Sequence, residues 1–131
     1  MQTTSKPFDL ARLFAALADT TRLRLLNLMA GREVCVCYFV EILGQSQPKI
    51  SRHLAYLRGA GIVTARRQGK WMHYRLRWPE DYSAVFIFRA VLASLAERAE
   101  MKADLVQLEQ ACCTTPKSAT LVSAPSPVSF I

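Results

Sequence analysis

The spacing of apolar residues changes twice along this chain, and these changes of period restrict its fold more than any other feature. Across residues 10–57 apolar residues recur every three to four positions, which is typical of amphipathic helices. Across residues 63–76 they alternate, and Gly69 lies between the two alternating runs, as in a tight β-hairpin. Helical spacing then returns over residues 82–110. The predicted order is therefore several helices, one hairpin and a long helix.

Residues at the ends of the predicted helices place a short turn between the third and the fourth. Asp19, or Thr20 beside it, is a suitable N-cap for the second helix. Gly44 closes a third helix of about two turns within the apolar segment VCVCYFVEILG. Ser46 then begins a fourth helix, with Pro48 in its first turn, where a missing N–H group does no harm. Because so short a turn separates these two helices, the spacing predicts a helix-turn-helix.

The complete order of elements is that of a winged helix-turn-helix, mainly α with a small β-hairpin wing. Apolar residues of the last helix repeat at alternating steps of three and four: Val85, Phe88, Leu92, Leu95 and Ala99. Such a helix packs along another helix. It is roughly 40 Å long, and the core of a small monomer is not large enough to cover an apolar stripe of that length. We therefore expect a homodimer through the terminal helices. Residues 1–111 are the predicted domain, and residues 112–131 are a cysteine pair followed by a disordered tail.

The charge of the chain indicates an anionic partner. Its formal net charge is +7 and its pI is near 9.6, and the cations concentrate in the predicted fourth helix and wing. Since a recognition helix places its N-terminal polar residues at base edges, we expect double-stranded operator DNA. The candidate base contacts are Gln47 and Lys49; the residues expected to reach bases or phosphates are Ser51, Arg52 and His53; those expected to follow the phosphate backbone are Arg66, Arg67 and Lys70.

Other classes of function have less support. Charged residues interrupt every apolar run before the roughly 18–20 residues of a membrane span, so no membrane partner is expected. The N-terminus has no small-residue cleavage site, which favours a cytoplasmic protein with reduced thiols. The sequence has no Gly-rich phosphate loop, no serine elbow and no histidine near Cys35 along the chain, so we expect no enzyme. A nucleoid-type DNA binder would explain the charge but not the placement of the cysteines.

Two of the four cysteines, Cys35 and Cys37, immediately precede the predicted reading helices. N–H groups and the dipole at the start of a helix favour thiolates, and thiolates select soft ions such as cadmium, lead, zinc and trivalent arsenic or antimony. On a regular helix, residues i and i+2 point about 200° apart. Both sulfurs can then bind one ion only if the first turn unwinds. We therefore predict that binding distorts the helix that positions the recognition helix.

Three segments resemble the ArsR/SmtB group of metal-responsive winged-helix repressors, and arsenical-resistance repressors in particular: LADTTRLRLLNLM, EVCVC and ILGQSQPKISRHLAYLRGAGIV. The resemblance covers about residues 8–110. It implies a homodimer that occupies an operator palindrome until its inducer binds. In that family the motif Cys-Val-Cys-Asp-Leu-Cys often supplies three thiols to trivalent arsenic. Here Tyr38 and Val40 stand where the Asp and the third Cys would be, so the motif is one ligand short.

The missing ligand leaves two arrangements open. Cys112 or Cys113 completes the site of Cys35 and Cys37 across the dimer, which we favour, or the vicinal pair forms a site of its own with a third sulfur from the partner subunit or from a small thiol. With As(III) or Sb(III) as inducer and no organic cofactor, the expected function is repression of an arsenic-resistance operon. The alternatives are a Cd- or Pb-type thiolate sensor and a thiol redox sensor of the same fold. Zinc sensing on the last helix is disfavoured, because that helix has carboxylates but no histidine.

Overall fold

The computed structural model describes residues 7–113 and 124–129. Its N-terminal elements are α1 (Leu10–Leu17), α2 (Thr20–Leu28), β1 (Arg32–Cys35), α3 (Val36–Leu43) and α4 (Gln47–Gly59). The remaining elements are β2 (Val63–Gln68), β3 (Trp71–Leu76), α5 (Tyr82–Ala96), α6 (Ala99–Cys113) and β4 (Val128–Ser129). None of these described helices is both long and apolar enough to cross a lipid bilayer. The predicted winged helix-turn-helix is confirmed.

Side chains at the helix ends act where the sequence predicts them. Asp19 accepts a hydrogen bond from the Arg22 N–H at 3.0 Å and so caps α2. Ser46 accepts one from the Lys49 N–H at 3.4 Å and caps α4. Gly44 ends α3 with φ 64°, a left-handed conformation that glycine adopts at little cost. The turn between α3 and α4 is therefore defined by residues within it.

The hydrophobic core fixes one face of α4. Ile50, Leu54 and Leu57 are all fully buried, as their helical spacing predicts. In α1 the helical spacing of apolar residues predicts the buried face only in part, since Leu13 is buried whereas Phe14 is half-exposed. Because one face of α4 packs into the core, its opposite face is presented to solvent.

The described strands form one sheet in the order β2–β3–β1–β4. The predicted hairpin is β2 and β3, paired from Val63 opposite Leu76 to Gln68 opposite Trp71. Gly69 closes it with φ 61°. The two wing strands therefore belong to the same sheet as β1 and β4.

The segment predicted as the third helix divides between a strand and a helix. Val34 pairs with Tyr74, and Cys35 with His73, in an antiparallel ladder between β1 and β3. The helix begins only at Val36. The predicted third helix of about two turns, closed by Gly44, is confirmed. The strand before it was not predicted, because pairing with a distant strand satisfies its backbone groups.

The predicted long C-terminal helix is interrupted between α5 and α6, which corrects the prediction of a single helix. The interruption lets α6 fold back along α2. There Arg24 donates two hydrogen bonds to Asp104, at 2.8 and 3.0 Å. Asn27 also donates to the carbonyl oxygen of Met101 at 2.9 Å. These long-range contacts satisfy buried polar groups that a straight helix would have left apart.

The apolar stripe of that segment is partly covered within the chain itself. Phe88 and Leu95 are buried, Val85 and Leu92 are half-buried, and Ala99 is exposed. The inference that only a partner helix can cover the stripe is therefore wrong for its buried members. The homodimer itself stays a prediction.

Residues 124–129 contradict the prediction that the whole tail is disordered. Val128 pairs with Glu33, and Ser129 with Arg32, at the outer edge of β1. The other residues of the predicted tail, 114–123 and 130–131, lie outside the described residues. At least this part of the tail belongs to the folded domain, because β1 offers it an edge with which to pair.

Candidate thiol site and DNA-binding surface

The candidate thiol site lies at the junction of β1 and α3. Cys35 is the N-cap of α3, with φ −70° and ψ 143°, and Cys37 lies in the first turn. The Cys37 Sγ donates a hydrogen bond to the Cys35 Sγ across 3.2 Å. The expected divergence of about 200° applies only where both residues are helical, and Cys35 is extended. The prediction that the helix must unwind to bring the sulfurs together is therefore wrong.

The short distance between the sulfurs makes the two thiols share a proton. The hydrogen bond from Cys37 lowers the pKa of Cys35 to about 7, against the effect of burial, and backbone N–H groups add to the lowering. The same hydrogen bond, followed by burial, raises the pKa of Cys37. At neutral pH a substantial fraction of the pairs therefore holds a thiolate at Cys35, and the thiolate is the form that binds metals.

The surroundings of the sulfurs are closed to solvent. Cys35 is 1% and Cys37 8% exposed, and Tyr38 beside them is fully buried. Burial, followed by the nearby Cys37, Cys112 and Cys35, raises the pKa of Tyr38 to about 12. A ligand can reach the sulfurs only if packed side chains move.

The structure places Cys112 near Tyr38, beside this site. Cys112 is half-buried in the last turn of α6, where its Sγ donates to the carbonyl oxygen of Glu109 at 3.5 Å. Among residues 7–113 and 124–129, no three His, Cys, Asp or Glu side chains are grouped as metal ligands. The Cys113 side chain lies outside the described part of the chain. Of the four predicted ligands, the fold thus brings Cys35 and Cys37 together.

Next to the thiol site lies an ion pair that the sequence analysis missed. Buried Glu33 accepts hydrogen bonds from Arg66, the closest at 2.7 Å between Oε1 and Nη2. The predicted role of Arg66 was a phosphate contact, yet its guanidinium is held at the sheet by this carboxylate. The sequence could have indicated that Glu33 lies near Cys35, because alternate residues of a strand share a face and these two are both in β1.

His73 was also missed as a neighbour of the thiol site, because it is far from Cys35 along the chain. The two residues are opposite each other in the β1–β3 ladder. His73 is buried, and burial, with the positive charge of Arg66, lowers its pKa. Within the described residues its Nε2 atom has no hydrogen-bond partner. A neutral imidazole therefore lies in the strand next to the one that carries Cys35.

The solvent face of α4 carries most of the predicted recognition residues. Gln47, Lys49 and Arg52 are exposed, and Ser51 is half-buried. The opposite face of the helix is fixed in the core. These four side chains are therefore presented outward from a helix whose position is determined by packing.

His53 is placed differently from the other predicted recognition residues. Its Nδ1 atom lies 3.3 Å from Nη1 of Arg22 and 3.8 Å from Oδ1 of Asp19. Arg22 in turn donates to the carbonyl oxygens of Ala16 at 2.8 Å and Ala15 at 3.0 Å. His53 therefore braces α4 against α2.

The tip of the wing presents the other predicted phosphate contacts. Arg67 and Lys70 are exposed on either side of the turn at Gly69. The Lys70 Nζ atom lies 5.1 Å from the centroid of the Trp71 ring, within the range of a cation–π contact. Both cations extend beyond the core on a projecting hairpin.

An outward-facing polar helix, reached through a helix-turn-helix and followed by a basic hairpin, defines a winged-helix DNA-binding protein. Residues 19–65 match the family described as "Bacterial regulatory protein, arsR family". A probable mercury resistance operon repressor of Streptomyces lividans is 41% identical over 90 residues, which are 69% of this chain and 72% of that protein. The chain belongs to the arsR family of bacterial regulatory proteins.

Two further comparisons agree with that membership. The chain is 56% identical over 66 residues, half of its length, to the arsenical resistance operon repressor of Escherichia coli K12, and covers 56% of that protein. HlyU from Vibrio cholerae has a TM-score of 0.57 at 25% identity, over 66% of this chain and 91% of that one. The chain spans 51–56% of the length of three arsenic-resistance regulators that it matches. The prediction of a transcriptional regulator rather than an enzyme is confirmed by the family.

Proposed function

We propose that this protein represses an arsenic-resistance operon and leaves its operator when As(III) or Sb(III) binds the thiolates of Cys35 and Cys37. The observation that carries the proposal is the pair of buried sulfurs 3.2 Å apart, at the end of α3 opposite α4. The names of two relatives support it, since both are resistance-operon repressors, one for arsenicals and one probable for mercury. Arsenic and mercury share a preference for soft sulfur ligands.

The distance between the sulfurs favours a pyramidal centre over a tetrahedral one. For metal–sulfur bonds of about 2.3 Å, sulfurs 3.2 Å apart subtend an angle of about 90° at the ion. Tetrahedral zinc or cadmium requires about 109°, so the pair would have to spread. Trivalent arsenic and antimony carry a lone pair and bind sulfur at angles closer to a right angle. The pair therefore fits the metalloids without a change in the sulfur–sulfur distance.

The effect of the inducer on DNA passes, in this proposal, through α3. This helix has 8 residues, about 12 Å, with Cys37 in its first turn and Gly44 at its end. Because both cysteines are almost closed to solvent, a bound metalloid must displace packed neighbours such as Tyr38. A short helix moves as one body, so a displacement of its first turn also moves the turn before α4.

The proposed DNA contacts are the exposed members of the predicted set. Gln47 and Lys49 contact base edges in the major groove, while Ser51 and Arg52 contact bases or phosphates. Arg67 and Lys70 of the wing contact phosphates: the net charge of +7 supports salt-dependent affinity of this kind. His53 and Arg66 act indirectly, through the braces that hold α4 and the sheet.

A homodimer is part of the proposal. Leu10 and Phe14 of α1, with Phe86 of α5, are exposed large apolar residues of the kind that a protein interface covers. Two copies place two recognition helices on the half-sites of a palindrome. In this arrangement Cys112 or Cys113, from the same chain or the partner, supplies the third sulfur to the inducer.

The decisive experiment measures release from an operator fragment selected from random DNA by its affinity for the protein. Arsenite and antimonite should release the unaltered protein. The Cys35→Ser and Cys37→Ser variants should bind the fragment as tightly without metalloid, but remain bound when it is added. If both variants still leave the DNA, the assignment of the ligands is wrong.

Three further measurements separate the alternatives. Cys112→Ser and Cys113→Ser, with sulfur counting by X-ray absorption, identify the third ligand. Release by Cd²⁺ or Pb²⁺ in preference to arsenite would favour the thiolate metal sensor. Release by peroxide alone, reversed by a reductant, would favour the redox sensor.

A further inference from the structure

We propose that residues 124–129 form a strap that closes the thiol site on the side of Tyr38 and Cys112, and that this strap limits how fast an inducer reaches Cys35 and Cys37. The inference rests on the proposed function only for the identity of the ligand. The covering of the site is argued from the position of the strap, namely its pairing with β1, its buried end and the cavity that it lines beside Cys112.

One end of the strap is attached to the strand that carries Cys35. Val128 pairs with Glu33, and Ser129 with Arg32, so the described pairing ends two residues before Cys35. The other edge of β1 pairs with β3, and β4 therefore covers an edge that would otherwise be open. A ladder this short is weak by itself and can open locally without global unfolding.

The middle of the strap lies against the residues around the thiols. Ser126 lies near the Tyr38 hydroxyl, which is buried and has no hydrogen-bond partner among the described residues. Pro127 lines a cavity of about 260 Å³ together with Arg32 and Cys112. Cys112, which lines the cavity, is near Tyr38. The strap therefore forms one wall of a cavity beside Cys112.

The other end of the strap is anchored by packing. Ala124 is 7% exposed and belongs to the hydrophobic core, whereas Ser126 and Val128 are exposed. A segment with a buried anchor, an exposed middle and a weak strand at its end can open while the remaining elements stay packed. Opening would uncover the side of the site where Tyr38 and Cys112 lie.

Alkylation by iodoacetamide, followed residue by residue with mass spectrometry, measures access to the thiols without any metalloid. The unaltered chain is compared with a variant that ends at Cys113 and with Ala124→Arg, which forces a large charged group into the buried anchor. Cys35 and Cys37 should react at least about tenfold faster in both variants, because alkylation follows the population of the open form.

Two controls match these changes. A chain that lacks only residues 130–131 is shortened without loss of the described strap. Ala103→Arg adds the same side chain at an exposed position of α6. Both controls should react like the unaltered chain. Circular dichroism and DNA binding establish which variants are folded, and the point variant provides the test if the truncated chain is not.

The outcomes separate this inference from the proposed function. Equal alkylation rates in folded Ala124→Arg and the unaltered chain would overturn the strap, even if arsenite still releases the operator. Faster alkylation in the strap variants, with arsenite-triggered release equally accelerated in stopped flow, supports both. Faster alkylation in a protein that arsenite never releases supports the strap and overturns the proposed function.

Discussion

The DNA-binding surface and the thiol site are built in opposite ways at the two ends of α3. Gln47, Lys49 and Arg52 of α4 are exposed on a helix that begins with its own cap, so each projects independently. Cys35 and Cys37 are buried, and their sulfurs meet because a strand held by distant parts of the chain turns into a helix. Exposed side chains should therefore act one by one, whereas the buried pair should act as a unit.

The sharpest test of this contrast is a double-mutant cycle on the thiols. Cys35→Ser and Cys37→Ser should each weaken arsenite binding by at least about a hundredfold, since even outer-shell changes at metal sites cost about ten- to a hundredfold. The double variant should lose little more than either single one. Isothermal titration calorimetry measures the affinities, and losses that multiply would show that the sulfurs act separately.

The next largest effect concerns the long-range contact that folds α6 back on α2. Arg24→Ala should lower the free energy of unfolding by about 2–3 kcal/mol, less than for a fully buried pair. The substitution leaves the Asp104 carboxylate, which is only 7% exposed, without its cation. The loss is moderated because the Arg24 side chain is 28% exposed in the native protein. Arg77→Ala is the matched control, because the Arg77 and Glu80 side chains are 53% and 86% exposed and such pairs contribute little. Urea denaturation measures both, and equal losses would contradict the contrast.

The DNA-binding surface should show additive effects of moderate size. Lys49→Ala and Arg67→Ala should each weaken operator binding by about three- to tenfold, and the double variant by the product. Arg67→Ala should also reduce the salt slope by about 1, as expected when one phosphate contact is lost.

Arg66→Ala provides the matched comparison for Arg67 in the same strand. Arg66 is held by Glu33, so its loss should lower thermal stability and leave the salt slope unchanged. Fluorescence anisotropy at several salt concentrations distinguishes the two arginines. A reduced salt slope for Arg66→Ala would show that Arg66 contacts a phosphate of the DNA.

The smallest predicted effect is at the cap of α4. Ser46→Ala should cost about 0.5–1 kcal/mol of unfolding free energy, at the lower end for caps because the hydrogen bond is long, 3.4 Å. Ser46→Asn keeps a side-chain acceptor and should restore most of the loss. If alanine and asparagine are equally stable in thermal denaturation, the cap does not define the start of the helix.

The recognition helix shows how much can be read from local patterns. Ser46, Pro48 and the buried face of Ile50, Leu54 and Leu57 are all within thirteen helical residues or next to them. Such signals depend on hydrogen bonds and burial within a few turns, so the sequence is enough to place them. The hairpin around Gly69 was predictable for the same reason.

The thiol site shows where that approach ends. Cys35 lies in a strand only because β3 pairs with it, and Arg66 forms an ion pair within the protein only because the fold brings buried Glu33 within reach. The break before α6 and the pairing of Val128 have the same origin in contacts distant along the chain. Local propensity contains no information about these partners.

The sequence by itself determined the class of the protein, the helix-turn-helix, the wing and the positions of the cysteines. These follow from short-range spacing, because caps, turns and apolar faces form among neighbouring residues. Only the tertiary structure decided that the sulfurs of Cys35 and Cys37 converge, that His53 contacts Arg22, that Arg66 pairs with Glu33, and that Val128 and Ser129 join the sheet. Each of those outcomes depends on a backbone or side-chain partner that the chain brings close only when it folds.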